Sequence, residues 1–322
     1  MINNSSNNRI IWIDWCKFIA ITLVVWGHIS PAFRNFIFLF HMPLFFMLSG
    51  YLYKKRSVKK EVMVVIWSLL LPYLIYNFIY ILPLPLGGRY QKGFITNILL
   101  GNQEALCYLM VPLWFLVALM GMRVLAAFNT LNRYSLFLFL LISYVLFDFI
   151  KIDQTNDYFQ LKTMCLCFPF FIVGYIIKKR DYFKIIKKYN TTLLTFSAIT
   201  IIVIAEIIGL WNSSIHENGI NVYHCRIGIN IILFYISAIG LSASLMLLCA
   251  IHLNITSTIV EKLSNGTLLI LATHLIIYWK IPTLPVPEII QSMLNIIIIL
   301  IVSYVLIVFC EKYCPVLIGK KK

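Results

Sequence analysis

The chain has 322 residues, 61% of them hydrophobic and only 12% charged, with a mean hydropathy of +0.89. Soluble domains carry roughly 45–50% apolar residues, so this composition excludes an ordinary soluble protein and calls for an integral membrane protein. The net charge of +15 does not denote a nucleic-acid partner, because Lys and Arg fall between apolar runs and not on a basic face of a soluble domain.

A span needs about 20 apolar residues, and on that basis the chain reads as an all-α polytopic helix bundle of ten transmembrane helices. They fall near 10–29, 36–53, 61–82, 111–128, 134–150, 161–177, 191–210, 227–250, 264–281 and 289–310, in a single membrane-embedded domain over 1–322. The polar start MINNSSNNR, and a first run ending in WGHISPAF without a small-x-small cleavage site, mark that run as a retained helix and not a cleaved signal. The Leu-rich stretch 94–110 reads as a short re-entrant or interfacial segment. No internal repeat is visible.

Positive charge orients the bundle, since cytoplasmic loops carry the excess of Lys and Arg. With the N-terminus inside, the inward segments hold 19 of the 27 Lys and Arg residues, including KKRSVKK (Lys54 to Lys60), KKRDYFKIIKK (Lys178 to Lys188) and the terminal KKK. The outward loops hold seven: Arg34, Arg89, Lys92, Lys151, Lys162, Arg226 and Lys280. Both termini are therefore expected in the cytoplasm. Eight cysteines make neither a disulfide scaffold nor a paired C-x-x-C zinc pattern, and no metal is expected. Most read as buried apolar fillers; Cys107 and Cys225, both in outward loops, are the pair open to a disulfide.

The first helix, IDWCKFIAITLVVWGHI (13–29), carries Asp14, Lys17 and His28 inside an apolar run. From Lys17 to His28 the helix turns three times and returns to within about 20°, rising roughly 16 Å. Asp14 lies three residues before Lys17, close enough to pair with it. The three share one stripe, and an ionisable stripe must face the bundle interior or a water-filled cavity. Taken singly, Asp14 and Lys17 would be a structural pair at a helix entrance and His28 an interfacial residue.

The second helix, FLFHMPLFFMLSGYLYKK, brings His41 to the level of His28, and the ninth, LSNGTLLILATHLIIYW, puts His274 just to the outer side of mid-membrane. Three of the six histidines thus converge on one level, and imidazoles in apolar surroundings suit proton transfer. Asp148 and Glu206 fall near outer helix ends, where hydration or an acceptor cleft would accommodate them. The outward aromatics Trp114, Trp211, Tyr108, Tyr223 and Trp279 fit an interfacial belt or sugar stacking. His216 and His224 read as solvated loop residues, and His252 has no evident partner. Gly50, Gly174 and Gly240 read as sites of close helix packing.

At these residues the chain resembles the acyltransferase 3 family of multi-spanning membrane acyltransferases, especially members that O-acetylate sugars and surface polysaccharides. The family pattern of Arg or Lys, ten residues, then His is matched by Lys17 and His28. FHMPLFFMLSGYL (40–52), PLWFLVALM (112–120), FPFFIVGYIIKK (168–179) and LSNGTLLILATH (263–274) resemble further family segments in the same order. Where many members have Arg, Lys17 offers a point charge in place of a bidentate fork.

The resemblance implies transfer of an acyl group, usually acetyl, from cytoplasmic acetyl-CoA to a hydroxyl of a saccharide or lipid-linked glycan precursor, in a bacterial inner membrane. On that reading Lys17 holds the donor with Asp14 beside it, and His28 acts with His41 and His274. Two routes are open to His28: general base on the acceptor hydroxyl, or transient carrier of the acetyl group as an acyl-imidazole. His41 and His274 would orient His28, bind the acceptor or stabilise the oxyanion. The basic inner loops would meet coenzyme A phosphates, or simply membrane lipid headgroups. The competing class is a transporter or lipid-linked glycan flippase, but such carriers often show repeats and broken helices in matching halves, and neither is evident.

Overall fold

The computed structural model describes residues 9–31, 33–81, 93–102, 108–151, 157–186, 188–215 and 219–321. Each apolar run forms helix. The order is α1 (Ile11–Ile29), α2 (Arg34–Leu52), then α3 (Val58–Val65), which runs through a π turn at Ile66–Leu70 into α4 (Leu71–Ile81). A short α5 (Phe94–Leu99) and a 3-10 turn at Tyr108–Leu113 lead to α6 (Trp114–Phe128). There follow α7 (Arg133–Tyr144) with a π turn at Val145–Phe149, α8 (Leu161–Lys179), α9 (Tyr182–Ile186), α10 (Thr191–Ser213), α11 (Ile231–His252), α12 (Thr258–Asn265), α13 (Thr267–Lys280) and α14 (Glu288–Tyr313). Among the described residues there is no β-strand, only an isolated antiparallel bridge between Asn221 and Arg226.

Ten spans were read from the sequence. Among the described residues eight helices are long and apolar enough to cross a membrane, or nine if one bent pair counts as a single span. The run at 134–150 forms the shorter α7. The run at 264–281 is broken: α12 and α13 meet at Gly266 with a bend of 83°. Ser264, Asn265 and Gly266 carry the signal for that break, and a side chain on Gly266 would overlap Ile307 of α14. The stretch 94–110 contributes α5 and the start of the 3-10 turn, with 103–107 outside the described residues.

Burial separates the centre of the bundle from its lipid face. Two-thirds (67%) of the α2 window is buried against 17% for α10, whose Phe196, Ile199, Val203 and Ile207 form an exposed stripe at helical spacing. An apolar stripe of this kind faces acyl chains in a bilayer. α2 lies against α8 with no side chain between them at two points. A Cβ on Gly50 would collide with the Phe171 carbonyl, and one on Gly174 with the Met47 carbonyl. Gly240 of α11 similarly approaches Ala205 of α10, so all three glycines mark close packing.

Prolines inside helices free carbonyls that need other donors in an apolar medium. Pro169 in α8 deprives the Cys165 carbonyl of its helical N–H, and Ser143 Oγ of α7 donates to it at 2.9 Å. Pro43 interrupts α2 in the same way two residues after His41.

One end of the bundle gathers the basic segments. Trp12, Tyr51 and Phe183 meet edge-on or tilted with ring centroids 5.1–5.9 Å apart, tying the start of α1 to the end of α2 and to α9. Arg9 bonds Glu261 on α12, while Lys262 and Lys320 both pair with Glu311 near the end of α14. The first and last described segments therefore lie at the same end, with KKRSVKK and KKRDYFKIIKK.

Candidate functional site

His28, His41 and His274 come together from α1, α2 and α13. The His28 ring lies 5.2 Å from that of His274 and 6.4 Å from that of His41, edge-on to both. Each is anchored by its own helix: His28 Nδ1 to the Val24 carbonyl at 2.7 Å, His41 Nδ1 to Ile37 at 2.9 Å, and His274 Nδ1 to Ile270 and Leu271 at 3.0 and 2.9 Å. A carbonyl only accepts, so each Nδ1 carries the proton and the neutral ring presents an Nε2 lone pair. His274 Nε2 is buried with no hydrogen-bond partner among the described residues. The backbone, and not a neighbouring histidine, therefore orients His28.

A cavity of about 330 Å³ opens on this group from the end opposite the basic segments, with His28 and His41 in its wall. Its far side is the segment 219–230, pinned by one buried side chain. Asn212, at the end of α10, donates from Nδ2 to the Ile227 carbonyl at 2.6 Å and accepts from Asn230 N at 2.8 Å. Its backbone carbonyl accepts from Ile229 N, and Gly228 passes the crowded amide with φ +92°, a conformation few side chains tolerate. The pinned segment presents Asn221, Tyr223, His224 and Arg226 to the cavity, and Tyr223 stacks on Trp114 at 5.6 Å.

A second cavity, about 260 Å³, opens toward the basic end. Its polar lining is Lys17, Ser49, Ser68, Arg123, Asn265 and Thr267; Ile21, Phe45, Phe115 and Leu268 are among its apolar walls. The two cavities share Met42 and Leu271 as wall residues, and Leu271 lies one helical turn before His274. Two open spaces thus approach from opposite ends and adjoin beside three imidazoles.

Asp14 does not pair with Lys17. Its carboxylate accepts from Arg9 Nε and from Ser264 Oγ, both at 2.6 Å, which ties α1 to α12. Lys17, left without an ion-pair or hydrogen-bond partner among the described residues, faces the basic-end cavity. The sequence reading missed a second cation there. Arg123 turns one side to the cavity and bonds fully buried Glu61, whose other oxygen takes Arg56 at 3.0 Å. The available signal was Glu61 itself, an acid next to a basic cluster at the mouth of an apolar run.

Several other expectations need correction. His224 lines a cavity wall and packs on Tyr223 at 4.8 Å instead of lying in a solvated loop; His216 falls outside the described residues. His252 has a partner, Thr195 Oγ1 at 2.8 Å. Asp148 accepts from Ile231 N and so caps α11, and neither it nor Glu206 lines the cavities above. Cys225 is buried and its thiol is pushed up to about 12 by that burial and by the Asp157 carboxylate, which makes it an inert thiol. Its suggested partner Cys107 lies outside the described residues.

A family model described as an acyltransferase domain matches residues 10–312. Nodulation protein NolL of Mesorhizobium japonicum is 39% identical over 70 residues, covering 17% of this chain and 18% of that protein. The chain thus matches less than a fifth of that relative's length. No solved structure matches.

Proposed function

This chain belongs to the acyltransferase 3 family, whose match runs over residues 10–312, and on that premise we propose that it is an O-acetyltransferase. Acetyl-CoA enters from the basic end, in the cytoplasm, and the acetyl group passes to a hydroxyl of a saccharide or lipid-linked glycan precursor held in the opposite cavity. The setting is a bacterial inner membrane. The observation that carries this reading is the pair of cavities that adjoin at Met42 and Leu271, beside His28.

The nucleotide end of coenzyme A is anionic, and Lys17 and Arg123 are cations lining the basic-end cavity. Lys17 lies roughly 16 Å along α1 from His28, a distance suited to an extended pantetheine arm. The apolar walls of the cavity accept the arm and deliver the thioester to the histidines. His28 Nε2 then takes the acceptor hydroxyl proton as the oxygen attacks the thioester carbonyl; the C–S bond breaks and the proton passes to the leaving thiolate. In the alternative route Nε2 itself attacks the carbonyl and the C–S bond breaks, releasing coenzyme A as the thiolate; the acceptor hydroxyl then attacks the acyl-imidazolium, the C–N bond breaks and the hydroxyl proton passes to the thiolate. While neutral, His41 and His274 offer lone pairs at Nε2 and do not donate to an oxyanion; His41, in the cavity wall, holds an acceptor hydroxyl, and the buried His274 tunes His28.

Label from radiolabelled acetyl-CoA should appear in a membrane glycan without any ion gradient when this protein is present. Neither consumption nor binding of acetyl-CoA would instead favour the carrier. Replacement of Lys17 by alanine should raise the KM for acetyl-CoA about ten-fold or more, the worth of one charge-assisted contact, with a smaller change in kcat. Lys17→Arg should restore it.

The shared wall predicts donor selectivity. Transfer should fall steeply from acetyl-CoA to hexanoyl-CoA, because the added methylenes must pass Met42 and Leu271. Leu271→Ala should raise the hexanoyl-to-acetyl ratio by about ten-fold or more, on the scale that one methylene commands in an apolar pocket. Leu271→Phe should lower transfer from both. An unchanged ratio in Leu271→Ala would remove these residues from the acyl path.

A further inference from the structure

The wall of the histidine cavity carries Arg34 and Arg226, and no Asp or Glu stands among its described lining residues. Neither arginine forms an ion pair among the described residues. Arg34 Nε donates to the Gly27 carbonyl at 3.1 Å, which fixes the guanidinium plane and leaves its two terminal nitrogens for other partners. Arg34 also opens α2, where the helix dipole disfavours a cation, so helix stability does not account for it. Arg226 sits in the bridge with Asn221, two backbone hydrogen bonds of 2.9 Å each, on the segment that Asn212 pins.

The described acids nearest this segment are occupied elsewhere. Asp148 caps α11, and Asp157 accepts from Thr163 N, Thr163 Oγ1 and Lys162 N. Two cations facing one half-enclosed space repel each other, and low-dielectric walls concentrate their field. Such an arrangement is stable and useful when an anion enters. Guanidinium forks match carboxylate and phosphate oxygens in pairs, and a pre-fixed fork loses little freedom on binding.

We propose that the acceptor taken by this cavity is an anionic saccharide, its carboxylate or phosphate held by Arg34 and Arg226 while a sugar ring lies against Trp114 and Tyr223. This rests on the transferase reading and narrows its acceptor class. The charge has two possible sources, an acidic sugar within the glycan or the phosphate that joins the glycan to a lipid carrier. Both present the same oxygens to the guanidinium pair.

Thermal unfolding of the purified full-length protein in detergent tests this without turnover, since a ligand that binds the folded state raises the melting temperature with the logarithm of its concentration relative to Kd. Saturating coenzyme A is present throughout, to occupy Lys17 and Arg123. The probes are an oligosaccharide containing glucuronic acid, a neutral oligosaccharide of equal length, and inorganic pyrophosphate. Stabilisation by at least one anionic probe and none by the neutral one is expected. The anion concentration needed for a given shift in melting temperature should rise at least ten-fold in Arg226→Gln and in Arg34→Gln, and less in Arg226→Lys, which keeps charge but loses the fork. Response to the glucuronate probe places the charge on the sugar; response to pyrophosphate places it at the lipid linkage.

Equal stabilisation by charged and neutral probes, no response to either anion, or an unchanged response in both glutamine variants overturns the proposal. The two variants lie on separate elements, so failure of one to fold leaves the other as the test. The two readings also fail separately. Labelled glycan with no anion response keeps the transferase and removes the anionic acceptor; an anion response with no acetyl-CoA consumption does the reverse.

Discussion

Replacing His28 by alanine is expected to lower acyl transfer by about 10²–10⁴-fold, the usual contribution of a positioned acid–base group, while leaving the bundle folded. The fold should tolerate it because the imidazole bonds only to its own helix. Nδ1 donates to the Val24 carbonyl, and loss of one such part-buried bond costs about 1 kcal/mol. His28 is also the central ring of the three, in edge contact with both His41 and His274, and it lines the cavity with its Nε2 lone pair outward of the helix anchor. The measurement is label transfer from acetyl-CoA at matched expression, with melting temperature as the control for folding. Wild-type turnover in the variant would remove His28 from the chemistry.

The same experiment separates the two routes. With labelled acetyl-CoA and no acceptor, an acyl-imidazole would leave acid-labile counts on the wild-type chain that hydroxylamine traps as acetyl hydroxamate and that are absent from His28→Ala. A general base would leave none. His274→Ala offers an instructive contrast, because that ring is fully buried with an unpartnered Nε2. Its loss opens a cavity in the packed centre, so reduced stability is expected alongside reduced transfer.

Much of this arrangement was legible in the sequence because it is written in periodicity. Apolar runs of span length gave the helices, and the eleven-residue step from Lys17 to His28 put both on one stripe, which the two adjoining cavities now bracket. The meeting of His28, His41 and His274 could be read by levelling residues along their helices. Partner choice could not. An i, i+3 spacing favours an Asp14–Lys17 pair locally, but Arg9 and Ser264 reach the same carboxylate from outside the α1 register. Loop geometry was equally hidden: His224 and Arg226 stand in a cavity wall on a segment that Asn212, from a different helix, pins. Arg123 looked like one more orienting charge until its contact with buried Glu61 appeared. Helical position is local information, whereas these three facts depend on which elements pack together.

The α2–α8 crossing brings backbone against backbone at two points, and substituting its glycines is expected to give a large loss of stability. Gly50→Ala or Gly174→Ala should each destabilise the protein by about 1–3 kcal/mol or more, the cost of overpacking a close-packed contact. The new methyl at Gly50 would sit on the Phe171 carbonyl, and that at Gly174 on the Met47 carbonyl; backbone oxygen cannot move aside as a side-chain tip can. Alanine is the better helix former by about 1 kcal/mol, so a net loss can only come from forcing α2 and α8 apart. Gly240→Ala is the control, because its methyl would meet the Ala205 side chain at 3.0 Å, on the lightly buried α10, and a slight shift relieves it. Melting temperatures of the three variants in one detergent should rank Gly240→Ala nearest wild type and the other two well below. The crossing also sets activity. α2 carries His41 and Met42 into the histidine cavity and Ser49 into the other, so displacing it by an ångström misplaces both substrates, and such misplacement costs on the order of 10²-fold in rate. If Gly50→Ala melted with wild type, the α2–α8 approach would be looser than this geometry requires; if it folded at low temperature yet transferred acetyl normally, the site would not depend on α2 for its alignment.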